Sequence, residues 1–116
     1  MAQEMSRMRM IAAVGDADVV ITNPTHFAIA LQYVRGSMGA PKVVAKGRNH
    51  LAMRIRTEAR KRGVPIVENP PLAQLLYKLA PLGREIPESL FQAVAEVLAY
   101  ISRLDPRRSE SWRAAS

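Results

Sequence analysis

Apolar residues follow two different spacings along this chain, and the two spacings predict two kinds of secondary structure. Short apolar runs bounded by Gly, Pro, Asn or Asp are typical of buried strands. Such runs predict strands at residues 19–22, 27–34, 43–45 and 64–67. The first two predicted strands are joined by a very short connection, which favours an antiparallel pair.

Other segments repeat apolar residues three or four positions apart, the spacing that aligns side chains on one face of a helix. The first predicted helix covers residues 1–14 and is broken by Gly15-Asp16. Its apolar stripe consists of Met5, Met8 and Ala12. We interpret this stripe as a packing surface, since methionine fills gaps in protein cores.

The second predicted helix begins after an N-cap at Asn49 and ends at Gly63. Asn69 is predicted to cap the third helix with Pro70 as its first residue, and the fourth helix starts at Pro87. Their apolar positions are Leu51, Ala52, Ile55 and Ala59; Leu72, Leu75, Leu76 and Leu79; and Leu90, Val94, Val97, Leu98 and Ile101.

The order of these elements indicates the fold class. A strand, a helix and a further strand in succession imply a parallel, right-handed crossover. With the antiparallel first pair, this predicts an α/β fold: a small four-stranded mixed β-sheet flanked by about four helices. A chain of 116 residues forms one domain with a single core. We divide it into a linker helix at residues 1–14, the folded domain at residues 15–104, and a tail expected to be flexible at residues 105–116.

The composition narrows the class of protein. Hydrophobic residues make up 48% of the chain, which argues against disorder, and every apolar run is far shorter than a membrane span. The absence of cysteine excludes disulfides and thiolate metal sites. His26 and His50 lack the paired spacing of a zinc site, and no glycine-rich phosphate loop is present. We therefore expect no cofactor, no metal and no turnover enzyme.

The formal net charge is +7, and basic residues concentrate between positions 42 and 62, where Glu58 is the single acid. The candidate partner-binding residues there are Lys42, Lys46, Arg48, Arg54, Arg56, Arg60, Lys61 and Arg62. Such a patch suits nucleic acid, an anionic membrane surface or an acidic protein, and a solvated helix face explains it equally well. Aromatic residues make up only 5% and are not interleaved with the basic ones, which disfavours nucleic acid as a partner.

The connection between the first two predicted strands, Asn23-Pro24-Thr25-His26, has a distinctive chemistry. Pro24 has no N–H, so the usual attack of the next backbone nitrogen on the Asn side chain is blocked. The reverse reaction remains: the Asn23 side-chain nitrogen adds to its own main-chain carbonyl and expels the Pro24 amine, which cuts the backbone. Alignment within a fold can supply roughly 7–11 kcal/mol of the barrier. His26 is a candidate proton relay, since imidazole exchanges protons near neutral pH.

As an isolated dipeptide, Asn-Pro is most simply a turn. The whole tetrapeptide and the apolar runs beside it, however, resemble the self-cleaving loop of the FlhB/YscU family, the export-apparatus switch proteins of bacterial flagella and type III secretion systems. Further segments resemble the cytoplasmic domain of that family at residues 40–47, 63–73, 83–88 and 93–100. The resemblance covers about residues 8–104.

The resemblance implies specific roles and partners. Asn23 would be the nucleophile and the cleaved carbonyl, Pro24 the leaving amine, Thr25 a residue that shapes the loop, and His26 the proton relay. The domain would sit at the cytoplasmic face of the bacterial inner membrane, below four transmembrane helices that precede it in the family. Implied partners are the export-gate protein, the ruler protein that senses hook or needle length, and the export substrates. Their specificity would switch from rod and hook type to filament type.

Two other interpretations remain at this point: a basic α/β module that binds nucleic acid, and a stand-alone homologue without its own membrane anchor. The second Asn-Pro pair, Asn69-Pro70, serves as an internal control. We expect no cleavage there because Asn69 is predicted to cap a helix.

Overall fold

The computed structural model describes residues 2–24, 26–33 and 39–105. The elements, in chain order, are α1 (Ala2–Ala13), β1 (Val19–Asn23), β2 (Phe27–Gln32), β3 (Lys42–Arg48), α2 (His50–Arg62), β4 (Ile66–Glu68), α3 (Pro70–Leu79) and α4 (Phe91–Leu104). Short 3₁₀ turns at Val14–Asp16 and Glu88–Leu90 precede β1 and α4.

Within the described residues the strands form one four-stranded sheet in the order β3-β2-β1-β4. β2 runs antiparallel to both of its neighbours, whereas β4 is parallel to β1. The crossover from β3 through α2 to β4 therefore joins the two edge strands, which point the same way. The predicted mixed sheet flanked by helices is confirmed, as is the antiparallel first pair.

Different helices cover the two faces of the sheet. On one face α2 and the end of α1 pack against small side chains, which lets α2 approach the strands closely. That core comprises Val14, Ala17, Val20, Ala28, Ala30, Ala45, Ala52, Ile55, Ala59 and Val64. On the other face α3 and α4 pack against larger residues, among them Val19, Ile21, Ile29, Leu31, Val43, Leu72, Leu76, Val94 and Ile101. β1 thus contributes alternate residues to both cores, and the connection at its end lies at the rim shared by both.

Strand boundaries differ from the prediction in ways that alternation explains. β3 covers Lys42–Arg48 rather than three residues, because its exposed Lys42 and Arg48 lie at the ends of a strand that buries every second residue. β2 ends at Gln32, and the predicted end at Val34 lies outside the described residues. β4 starts only at Ile66, since the Val64 N–H still bonds to a carbonyl of α2.

The predicted packing stripe of α1 is wrong. Met5 and Met8 are 56% and 58% exposed, and Ala12 is exposed as well. The residues that pack are instead Met10 and Ile11, with Val14 just beyond the helix. The apolar residues of α1 that pack on the domain lie at its end, so the rotation of the helix follows from those three residues and not from the spacing of the upstream methionines.

Two helix starts also require correction. The Asn49 side chain makes no capping hydrogen bond to α2, and its backbone has a positive φ of 54°. α4 begins at Phe91, after a 3₁₀ turn, rather than at Pro87. The predicted cap at Asn69 is present, because its side-chain Oδ1 accepts from the Leu72 N–H at 3.3 Å. The tail beyond Asp105 lies outside the described residues.

Candidate autocleavage site

The Asn-Pro connection is a tight turn between two paired strands. β1 ends at Asn23 and β2 begins at Phe27, and these two residues face each other as the last pair of the ladder. Pro24 and His26 lie in the turn between them, while Thr25 lies outside the described residues. The ladder therefore fixes both ends of the segment that would be cut.

A backbone N–H group is hydrogen-bonded to the carbonyl that would be attacked. The His26 N–H donates to the Asn23 carbonyl oxygen at 2.9 Å. This bond polarises the carbonyl and would stabilise the negative charge that forms on its oxygen when a nucleophile adds. From the sequence, His26 was expected to act through its imidazole, which is exposed here. The contribution of its backbone N–H was missed, although a bond between residues three apart is the usual signature of a β-turn.

Three further hydrogen bonds hold the turn from outside. The Asn49 N–H, just before α2, donates to the His26 carbonyl oxygen at 2.9 Å. Arg56 of α2 donates through Nη1 to the Pro24 carbonyl oxygen. On the other side, the Asn69 N–H donates at 2.9 Å to the carbonyl of Thr22, the residue before Asn23.

These anchors come from α2, its preceding turn and the start of α3, which are all distant from the loop in sequence. The backbone on both sides of the Asn23–Pro24 bond is therefore held by elements packed on the sheet.

On the side of the turn that faces α3, the aromatic rings of Phe27 and Tyr77 stack on each other. The Phe27 and Tyr77 rings lie 4.7 Å apart at 25°. The Lys46 ammonium sits 5.2 Å from the centre of the Tyr77 ring and donates to the carbonyls of Tyr77 and Ala80 at 3.0 and 2.9 Å. It thereby caps the last carbonyls of α3, where the helix dipole favours a cation. Burial of the ammonium lowers the pKa of Lys46.

The eight basic candidates make different contacts in the structure. Arg56 contacts the turn and Lys46 caps α3, as described above. Arg62 and Lys61 lie 2.9 and 4.0 Å from the Glu58 carboxylate. The hydrogen bond from Arg62, followed by the charges of Lys61 and Arg62, lowers the pKa of Glu58. Lys42 and Arg60 are exposed.

Arg48 and Arg54 contribute to a cleft of about 450 Å³ that opens between the end of β3 and the start of α2. Its other lining residues are Arg7, Lys46, Gly47, His50, Leu51, Tyr77 and Leu82. Arg56, which contacts the turn, is not among the residues that line this cleft, whereas Lys46 lines the cleft and also contacts Tyr77 beside the turn.

The second Asn-Pro pair is arranged differently from the first. The carbonyl oxygen of Asn69 accepts from the Ala73 N–H at 2.9 Å, and its side chain accepts from the Leu72 N–H. The carbonyl of Asn69 thus accepts a backbone N–H as that of Asn23 does, and the difference lies in the side chain, whose Oδ1 is held by the N-cap of α3. Neither a metal site nor a membrane span is found in the part of the chain that the structure describes. No group of His, Asp or Glu side chains there could hold a metal ion. No helix there is long and apolar enough to cross a membrane.

Comparison with known proteins identifies relatives along nearly the whole chain. The sequence profile of the FlhB HrpN YscU SpaS family matches residues 1–101. The flagellar biosynthetic protein FlhB of Escherichia coli (strain K12) is 48% identical over 115 residues, which is 99% of this chain and 29% of that protein. The hypersensitivity response secretion protein HrcU of Ralstonia nicotianae is 45% identical over 92 residues, which is 79% of this chain and 26% of that protein.

Solved structures agree with the fold. The cytoplasmic domain of FlhB from Shewanella putrefaciens has a TM-score of 0.82 and 42% identity, covering 90% of this chain and 80% of that one. A C-terminal domain of EscU with an asparagine-to-alanine substitution has a TM-score of 0.74 and 32% identity, covering 78% and 91%. The chain spans less than a third of the length of the curated relatives named above. On this evidence the chain belongs to the FlhB HrpN YscU SpaS family of flagellar and type III secretion export proteins, and its fold is that of their cytoplasmic domain.

Proposed function

We propose that this domain cuts its own backbone once, between Asn23 and Pro24, and that it takes part in switching export from rod and hook substrates to filament substrates. The observation that carries the cleavage proposal is the hydrogen bond from the His26 N–H to the Asn23 carbonyl. It lies within a turn whose two ends are fixed by the β1–β2 ladder.

The chemistry of the cut needs no cofactor. The Asn23 Nδ2 adds to the Asn23 main-chain carbonyl carbon and loses a proton, while the carbonyl oxygen takes up negative charge beside the His26 N–H. The bond to the Pro24 nitrogen then breaks, and that nitrogen gains a proton and leaves as a secondary amine. Residue 23 is left as a five-membered imide, which water opens to a carboxyl group.

Two physical effects can lower the barrier of this reaction. Oriented intramolecular attack supplies roughly 7–11 kcal/mol, and a donor aimed at the developing oxyanion supplies about 2.7–4 kcal/mol. The exposed imidazole of His26 can exchange the proton with solvent. General acid–base help of this kind adds about 10²–10⁴-fold.

The export role rests on the family membership and on the relatives' roles in flagellar biosynthesis and secretion. In this proposal the domain works at the cytoplasmic face of the bacterial inner membrane, below the membrane part of a longer protein. Its partners are the export-gate protein, the ruler protein and the export substrates. We favour a flagellar system because the FlhB domain of Shewanella putrefaciens has both a higher TM-score and a higher identity to this chain than the EscU domain.

Intact-mass analysis tests the cleavage proposal directly. Purified protein should separate under denaturing conditions into residues 1–23 and 24–116, and should run as one particle under native conditions. A chain that stays whole after long incubation at neutral pH would exclude self-cleavage. For the export role, cells that carry only an Asn23→Ala version of the full-length protein should keep secreting hook-type substrate and fail to secrete filament protein.

A further inference from the structure

Arg56 is the basic side chain that contacts the turn. It lies in the middle of α2, directly after Ile55, which is fully buried against the sheet. From there its Nη1 donates to the Pro24 carbonyl oxygen, across 32 residues of sequence. The residue is half-buried, so part of the guanidinium is held away from solvent. A rigid helix thus presents a cation to the residue that carries the leaving nitrogen.

We propose that Arg56 is a positioning residue for the Asn23–Pro24 cleavage, an inference that rests on the self-cleavage proposed above. The proline ring already fixes φ of Pro24, and the bond to Arg56 fixes its carbonyl and therefore its ψ. The His26 N–H holds the other carbonyl, that of Asn23. The peptide plane that must be attacked is then clamped on both sides.

The charge of Arg56 acts in the same direction. A guanidinium beside the turn favours the negatively charged addition intermediate, and hydrogen bonds to charged groups are about twice as strong as neutral ones. After the cut, Pro24 carries a new amine next to the same guanidinium. The like charges repel when that amine is protonated, so the contact that promotes cleavage is weakened by it.

Arg60 provides a matched control. It lies one turn further along the same helix, is exposed, and carries the same charge. Glu58, which lies between the two on α2, pairs with Arg62 and Lys61. Replacing Arg60 therefore removes an equal charge from α2 without removing the contact to the turn.

The test is a cleavage time course on newly translated chains, with mass detection of the fragment that begins at Pro24. We expect Arg56→Ala to cut about 10- to 100-fold more slowly than Arg60→Ala, the loss that follows from one charge-assisted hydrogen bond. Adding ethylguanidinium at a concentration that leaves the fold intact should restore part of the Arg56→Ala rate and leave Arg60→Ala unchanged. A purely structural role of Arg56 would show no such rescue.

The controls separate this inference from the proposed function. If wild type cuts and Arg56→Ala matches Arg60→Ala, the positioning role is refuted while self-cleavage stands. If wild type itself stays whole, the proposed function fails. Should Arg56→Ala not fold, Arg56→Gln decides, because its side chain is shorter and uncharged and so removes the guanidinium contact to Pro24. A rate at or above that of Arg60→Ala then overturns the inference, and a slower rate supports it.

Discussion

The donor on the Asn23 carbonyl allows a quantitative prediction. The His26 N–H lies 2.9 Å from that oxygen, within the range of a strong backbone hydrogen bond. Loss of a single donor to a developing oxyanion slows enzymes by about 10²–10³-fold. Replacing the backbone N–H of His26 by an ester oxygen removes this donor and retains the His26 side chain. We therefore expect the ester chain to cut about 10²–10³-fold more slowly than the amide chain.

The assay uses chains made by chemical ligation and folded together under identical conditions. The fragment that begins at Pro24 is followed by mass spectrometry, and circular dichroism verifies that each chain is folded. A second ester at Asn49 is the matched control, because its N–H holds the His26 carbonyl, one step removed from the reacting atom. That exchange should slow cleavage by only about 2- to 10-fold, the net contribution of one neutral hydrogen bond. Equal rates for the His26 ester and the amide chain would refute the oxyanion argument.

Three further predictions concern the side chains of Asn23, His26 and Asn69. Asn23→Ala should abolish the cut and leave the thermal unfolding midpoint almost unchanged, because it removes the nucleophile and no core residue; efficient cutting in that variant would reveal a contaminating protease. His26→Ala keeps the backbone N–H, so it should slow cleavage by at most about 10²–10⁴-fold without abolishing it, and an unchanged rate would exclude a proton relay. Asn69→Ala should reduce the free energy of unfolding by about 0.5–2 kcal/mol through loss of its cap to Leu72, measured by urea denaturation, and no fragment should begin at Pro70 in either chain.

Features that depend on neighbouring residues could be predicted from the sequence. The strands β1 and β2 and the turn between them follow from apolar runs flanking Asn23-Pro24, and the Asn69 cap follows from its position before a proline. These signals are local, since the residues that cause them lie within a few positions of each other. The family resemblance rested on the same local segments and was confirmed.

Features that depend on tertiary packing could not be predicted. Arg56 was indistinguishable from the other basic residues of α2, because only the docking of that helix on the sheet brings it to Pro24. Met5 and Met8 have the spacing of a buried stripe, yet they are exposed because the apolar side chains by which α1 packs lie in its last turn. Asn49 has the residue type of a helix cap, yet its side chain makes no capping hydrogen bond. Its backbone N–H donates instead to the His26 carbonyl in the turn.

The consequence of the cut can be argued from what holds each side of it. Residues 1–23 contribute β1, a central strand whose Val19, Val20 and Ile21 are fully buried, together with buried Val14. Exposing four such side chains would cost roughly 6–12 kcal/mol at about 1.5–3 kcal/mol each. The fragment should therefore stay in the sheet after cleavage.

The turn is less constrained once the chain is cut, because the covalent bond between Asn23 and Pro24 is lost. The Asn23 carbonyl becomes part of an imide or a carboxyl group, and the Pro24 amine faces Arg56. Hydrogen exchange by NMR on uncut Asn23→Ala and cut wild type should therefore show faster exchange in the cut chain at the N–H groups of His26 and Asn49.

Amides at the far end of the same strand are the internal reference. The Asp18 N–H bonds to Leu31 and the Val20 N–H to Pro65, and both lie away from the cut within the ladder and its parallel neighbour. Their protection should be equal in the two proteins. Loss of protection at Val20, or separation of the fragments in native size-exclusion chromatography, would contradict local remodelling. The expected pattern means that cleavage changes the surface formed by the turn and the adjacent part of α2 while the domain keeps its fold.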